Sequence, residues 1–106
     1  MNTDRNMEIN EIKSVYFIGA GGIGMSALVR YFLSKGKNVA GYDRTPSELT
    51  EKLIEEGARI HYTEDIKLIP TECLDKNSTL VVLTPAIPKE HAELNFFIDG
   101  NFEIQK

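Results

Sequence analysis

The chain has 106 residues, 42% of them apolar, which suffices for the core of one compact domain and no more. Twelve basic and sixteen acidic side chains leave a net charge of −4, and an acidic chain without a basic block suits neither nucleic acid nor an anionic membrane surface. No apolar run approaches the roughly 18 residues of a membrane span, the first six residues lack the apolar stretch of a signal peptide, and a single cysteine, Cys73, excludes an internal disulfide, so a cytoplasmic setting is expected. The charge is uneven: residues 1–53 carry 7 basic and 6 acidic groups, residues 54–106 carry 5 and 10, which favours the first half for an anionic ligand.

Residues 1–11 are polar and read as a flexible N-terminal segment, ahead of a domain over residues 12–106. Residues 13–18 read as a strand, followed at once by a glycine cluster. From Ile23 the apolar positions Ile23, Ala27, Leu28, Tyr31 and Phe32 recur at helical spacing, and Gly36 stands where a helix ends. Residues 38–42 form a second strand closed by Asp43. Ser47 is the expected N-cap of a second helix whose buried stripe is Leu49, Leu53 and Ile54 and whose stop is Gly57. Residues 58–61 are a third strand, and a short helical turn falls around 65–69. Residues 80–83 are a continuous apolar run, as a buried parallel strand requires. Pro88 opens a helix that ends near Gly100, and residues 102–104 make a fifth strand. Strands alternating with helices predict an α/β fold, a Rossmann-like, doubly wound parallel sheet of order 3-2-1-4-5. The chain ends directly after the fifth strand, as expected of a piece of a longer protein.

The residues Gly19-Ala20-Gly21-Gly22-Ile23-Gly24 match G-x-G-x-x-G between a predicted strand and a predicted helix. In that setting Gly19 permits the tight turn, Gly21 lets backbone approach a pyrophosphate, and Gly24 brings the helix close to the sheet. Amides at the helix start, aided by its dipole, then face the anion. Asp43 ends the second strand 19 residues after Gly24, where an acid meets a nucleoside hydroxyl or base, and Arg44 beside it blurs any choice between NAD and NADP. Thr84, Pro85, Ala86 and Ile87 follow the fourth strand at the topological switch point.

Catalytic chemistry is missing from these residues. No G-x-x-x-x-G-K-[ST] occurs, so no ATP-binding P-loop is expected. His61 and His91 have no His or Cys partner at ligand spacing, so no metal site is expected; His61 is read at a strand edge and His91 on a solvated helix face. Cys73 has no activating base and reads as inert, Ser26 and Thr84 have no triad context, and Met25 reads as core.

Residues 16–26, Tyr-Phe-Ile-Gly-Ala-Gly-Gly-Ile-Gly-Met-Ser, resemble the F-I-G-I-G-G-I-G-M-S opening of the Mur ligase family. Residues 39–43 resemble its V-x-G-S-D; Thr50, Leu53, Gly57, Ala58 and Ile60 resemble T-x-x-L-x-x-x-G-A-x-I; residues 81–87 resemble V-V-V-S-S-A-I. The likeness covers residues 12–104. Tyr42 and Pro85 replace the commoner serines, and Thr63 and Glu64 stand where members often carry Gly-His or Asn-His. The resemblance implies the first of three domains in an ATP-dependent ligase of peptidoglycan precursor synthesis. In such a ligase the muramoyl carboxylate of UDP-N-acetylmuramate becomes an acyl phosphate and is attacked by L-alanine, with ATP and magnesium on the central domain. It also implies that this chain binds the UDP part and is not catalytic alone. Gly19, Gly21, Gly22, Ile23, Gly24, Met25 and Ser26 would hold the diphosphate; Asp43, Arg44, Thr45, Thr84, Pro85, Ala86 and Ile87 would surround the uridine. Gly21→Val is then expected to block the diphosphate without unfolding the chain. An NAD(P)-binding domain of an oxidoreductase uses the same loop and acid and stays open, as does a nucleotide-sensing module without catalysis.

Overall fold

The computed structural model describes residues 7–105, leaving out the Ile23 side chain; residues 1–6 of the expected flexible segment lie outside the described residues. The elements follow one another as β1 (Ser14–Ile18), α1 (Ile23–Ser34), β2 (Asn38–Tyr42), α2 (Glu48–Glu55), β3 (Arg59–His61), β4 (Thr79–Leu83), α3 (Ala92–Asp99) and β5 (Glu103–Gln105), with 3-10 turns at Ile9–Glu11, Ile66–Leu68 and Thr71–Cys73. All strands are parallel and the order is β3-β2-β1-β4-β5, as predicted.

The central strands β1 and β4 are buried along their whole length, which explains why they read as unbroken apolar runs. Their side chains alternate between two cores. On one face Val15, Phe17 and Val82 pack with Val29 and Phe32 of α1 and Leu53 of α2. On the other, Tyr16, Ile18 and Val81 pack with Leu94 and Phe97 of α3, with Ile69 just after the first 3-10 turn between β3 and β4, and with Cys73 of the second.

Helix ends follow the sequence closely. Gly36 and Gly57 have φ of 76° and 121°, the left-handed backbone that ends α1 and α2. Ser47 caps α2 by accepting the Thr50 N–H at 3.1 Å. Helix faces follow it less well. In α1 the inward residues are Met25, Ser26, Val29, Phe32 and Leu33, while Ala27, Leu28 and Tyr31 face solvent. In α2 the buried pair is Thr50 and Leu53, and Ile54 is exposed. The third helix begins at Ala92, four residues later than the Pro88 start suggested.

The glycine that permits close packing is Gly41 rather than Gly24. Gly41 pairs with Phe17, and a Cβ there would lie 2.5 Å from the Phe17 carbonyl oxygen. A Cβ at Gly24 would meet nothing within 4 Å. Gly41→Ala is therefore expected to cost about 2 kcal/mol or more through overpacking, whereas Gly24→Ala should be neutral or stabilise by about 0.5–1 kcal/mol. Urea unfolding midpoints of the two variants check the contrast.

Candidate functional site

A cleft of about 550 Å³ opens at the carboxyl ends of β1, β2 and β4, where the chain order reverses direction across the sheet. Its near wall is the glycine loop. Gly19 leaves β1 with φ 97°, and the amides of Gly19 and Ala20 both donate to the Tyr42 carbonyl at 2.7 and 3.0 Å. The Gly22 amide turns back to the Gly19 carbonyl at 3.2 Å. The loop is thereby strapped across the end of β2.

Asp43 uses both carboxylate oxygens on backbone. Oδ1 accepts the Gly21 N–H at 3.0 Å and Oδ2 accepts the Thr45 N–H at 3.1 Å. A Cβ at Gly21 would lie 2.8 Å from Thr50 Cγ2 and 3.1 Å from Asp43 Cγ. The bare backbone of Gly21 thus makes room for the protein's own Asp43 and Thr50. The expectation that Gly21→Val spares the fold is corrected on this ground, because the new side chain collides within the domain.

Gly22 is the N-cap of α1, and its carbonyl accepts the Met25 and Ser26 amides at 3.0 and 3.2 Å. Ile23 and Gly24 occupy the first two helical positions, whose amides precede the intrahelical ladder and carry the positive end of the helix dipole. Those two N–H groups are the ones this loop can offer an anion. Arg44, on the rim, adds a cation.

The far wall is built on the opposite face of the sheet. Glu93 is fully buried. Its Oε1 accepts the Tyr16 O–H at 2.6 Å, and its Oε2 lies 2.9 Å from His61 Nε2 and accepts the Asp65 N–H at 3.0 Å. Burial first, and the Glu93 carboxylate second, push the Tyr16 phenol far above its ordinary range. Glu64 Oε2 accepts the Ala92 N–H at 2.7 Å, and His91, the N-cap of α3, accepts the Glu93 N–H on Nδ1 at 3.2 Å. Tyr42 meets the His91 ring edge-on at 4.8 Å, and burial, then Glu64, raise its phenol.

Of the residues singled out from sequence, Gly19, Gly21, Gly22, Asp43, Arg44, Thr84, Ala86 and Ile87 line this cleft. Thr45 stands behind Asp43, and Pro85 lines a neighbouring groove with Leu94 and Ile98. Met25 packs into the core beneath the loop, Ser26 is buried, and Gly24 is exposed. The sequence reading missed Tyr42, Glu64, Pro88 and His91 as lining residues. His91 is 5% exposed rather than on a solvated face, because the late start of α3 makes it an inward-facing cap. His61 does lie on the edge strand β3, half-buried against Tyr16 and Glu93. Among the described residues, no helix is long and apolar enough to cross a membrane.

Cys73 sits beneath the sheet, where burial pushes its thiol from 9.0 up to about 12. Cys73 and Tyr16 both hold their protons more tightly in the folded chain than in the unfolded one. Their stabilising effect is complete at neutral pH and is lost as pH rises, for Cys73 across the window from about 9 to about 12. Unfolding free energy should fall through that window by up to about 1.4 kcal/mol per pH unit for each such group. Urea titrations at stepped pH check this, and Cys73→Ala should fall less steeply.

Residues 14–105 match the family model described as "Mur ligase family, catalytic domain". Over 100 residues the chain is 68% identical to a UDP-N-acetylmuramate–L-alanine ligase of Phocaeicola vulgatus and 57% identical to one of Parabacteroides distasonis; each match covers 94% of this chain and 22% of the relative. The chain therefore spans about a fifth of the length of these curated relatives. A solved UDP-N-acetylmuramate:L-alanyl-gamma-D-glutamyl-meso-diaminopimelate ligase from Neisseria meningitides superposes with a TM-score of 0.71 at 18% identity, over 88% of this chain and 28% of that one. A murein peptide ligase from Psychrobacter arcticus gives 0.70 at the same identity. At such identity the likeness is one of fold.

Proposed function

The chain belongs to the Mur ligase family, and from that premise we propose that it holds the uridine diphosphate end of UDP-N-acetylmuramate for a cytoplasmic ligase that joins L-alanine to it. The observation that carries this reading is a convergence. Three of the four sequence phrases resembling the family meet at one cleft at the switch point of the sheet, which the glycine loop, Asp43, Thr84, Ala86 and Ile87 border. The relatives at 68% and 57% identity carry the name of that ligase.

In this reading the diphosphate rests at the start of α1, on the amides of Ile23 and Gly24, with Gly19, Gly21 and Gly22 as the floor. Asp43, Arg44, Thr84, Ala86 and Ile87, which line the cleft, surround the nucleoside. The chain's contribution is to bind and orient, presenting the muramoyl carboxylate to chemistry done elsewhere. ATP with magnesium does not fit this loop. Met25, half-buried against the core, stands where a P-loop has the lysine that reaches the β- and γ-phosphates. Those groups belong to the other parts of the ligase, which use them to activate the carboxylate for peptidoglycan synthesis.

A ligand panel of UDP-N-acetylmuramate, UDP, NADH, NADPH and ATP, read by thermal shift and amide NMR, tests the reading. Uridine ligands at a hundred times their dissociation constant should add about 2.7 kcal/mol of stability. They should also move the amides of Ile23, Gly24 and Asp43. A response to NADH or NADPH without one to UDP would replace the ligase reading with a dehydrogenase-type domain.

A further inference from the structure

His91 is buried at the start of α3, yet its Nε2 has no hydrogen-bond partner among the described residues. Its Nδ1 accepts the Glu93 N–H, which assigns the proton of the neutral ring to Nε2 and makes that atom a donor. The edge-on contact with Tyr42 holds the ring plane. A buried donor left without an acceptor is costly and calls for an explanation.

Glu64 Oε1 lies 3.8 Å from that nitrogen, too far for a direct hydrogen bond. Its other oxygen is committed to the Ala92 N–H. Both side chains line the cleft, on the wall across from the glycine loop. The cleft thus presents a donor and an acceptor side by side with a gap between them. A single atom that both accepts and donates can satisfy the two together, and the oxygen of a ligand hydroxyl, taking the place a water would fill, is such an atom. A phosphate oxygen only accepts and would meet the Glu64 charge, so the anionic end of a ligand is directed to the helix start instead.

We propose that His91 and Glu64 form a hydroxyl-binding pair: the Nε2–H donates to a sugar hydroxyl of the nucleotide ligand, and that hydroxyl donates to Glu64 Oε1. The proposal rests on the reading of the cleft as a uridine diphosphate–sugar site and adds His91 and Glu64, which lie outside the sequence phrases that match the family. The hydroxyl comes either from the ribose or from the amino sugar.

The test is calorimetric binding to the 106-residue chain of UDP, 2′-deoxy-UDP, 3′-deoxy-UDP and UDP-N-acetylmuramate, with His91→Phe and Glu64→Ala as variants. Each variant should weaken UDP-N-acetylmuramate about tenfold, the scale of a hydrogen bond to a charged partner. If the ribose supplies the hydroxyl, UDP weakens equally, and one deoxy analogue binds wild type as poorly as UDP binds the variants. If the amino sugar supplies it, UDP is unaffected and only the full ligand weakens. Glu64 is on the exposed rim, so Glu64→Ala decides the matter should His91→Phe lose its fold. Folded variants that bind all four ligands as wild type does, with the loop amides still responding to UDP, would overturn the pair and leave the uridine reading intact. Wild type that binds none of the four would overturn both.

Discussion

The glycine loop and the end of β2 are joined by hydrogen bonds that leave no room for a side chain between them. Two successive amides converge on the Tyr42 carbonyl, and the third glycine-loop amide, that of Gly21, goes to Asp43. Only glycine fits at 19, because Thr84 lies where a Cβ would be, and only glycine at 21, where Thr50 and Asp43 do. The ends of β1, β2 and β4 and the first turn of α2 therefore meet at one loop. The direction of α1 follows from that junction, and with it the position of the Ile23 and Gly24 amides just beyond the cleft-lining Gly22. Gly19 and Gly21 serve the protein's own packing first, and the amides left over at the helix start are those the proposed function gives to the anion.

The far wall depends on a different kind of contact. Glu93 is a fully buried carboxylate on α3 with partners on β1, on β3 and at the start of a 3-10 turn. Buried charge is tolerated only when it is paired and hydrogen-bonded. Tyr16, His61 and the Asp65 amide meet that demand, and they bind α3 to the sheet across its second face. Glu93 also donates its amide to His91, so the same residue that anchors the helix sets the orientation of the imidazole beside the cleft. The orphaned Nε2 and the nearby Glu64 oxygen follow from this anchoring rather than from loop geometry.

Local rules made most of the architecture legible. The apolar runs of β1 and β4, the glycine stops at 36 and 57 and the Ser47 cap each follow from short-range physics. Helix faces were harder. In α1, Leu28 and Tyr31 offer as much apolar surface as Val29 and Phe32 at overlapping helical spacing, and periodicity alone does not choose between the stripes; the packing against β1 does. The near wall of the cleft was legible because it lies in one contiguous phrase. The far wall was not, because Glu64 and His91 stand 27 positions apart in the chain and meet only through the Glu93 anchor. The spacing Pro88, His91, Glu93 held a signal in hindsight: a polar cap followed by a first-turn acid places the helix start at Ala92, and with it the inward turn of His91.

The most direct test of the central claim is a crystal structure of the chain with UDP bound. The account predicts the diphosphate within hydrogen-bond distance of the Ile23 and Gly24 amides, and the nucleoside between Asp43 and residues 84–87. Diphosphate bound away from the start of α1, or a nucleoside outside this cleft, would contradict it.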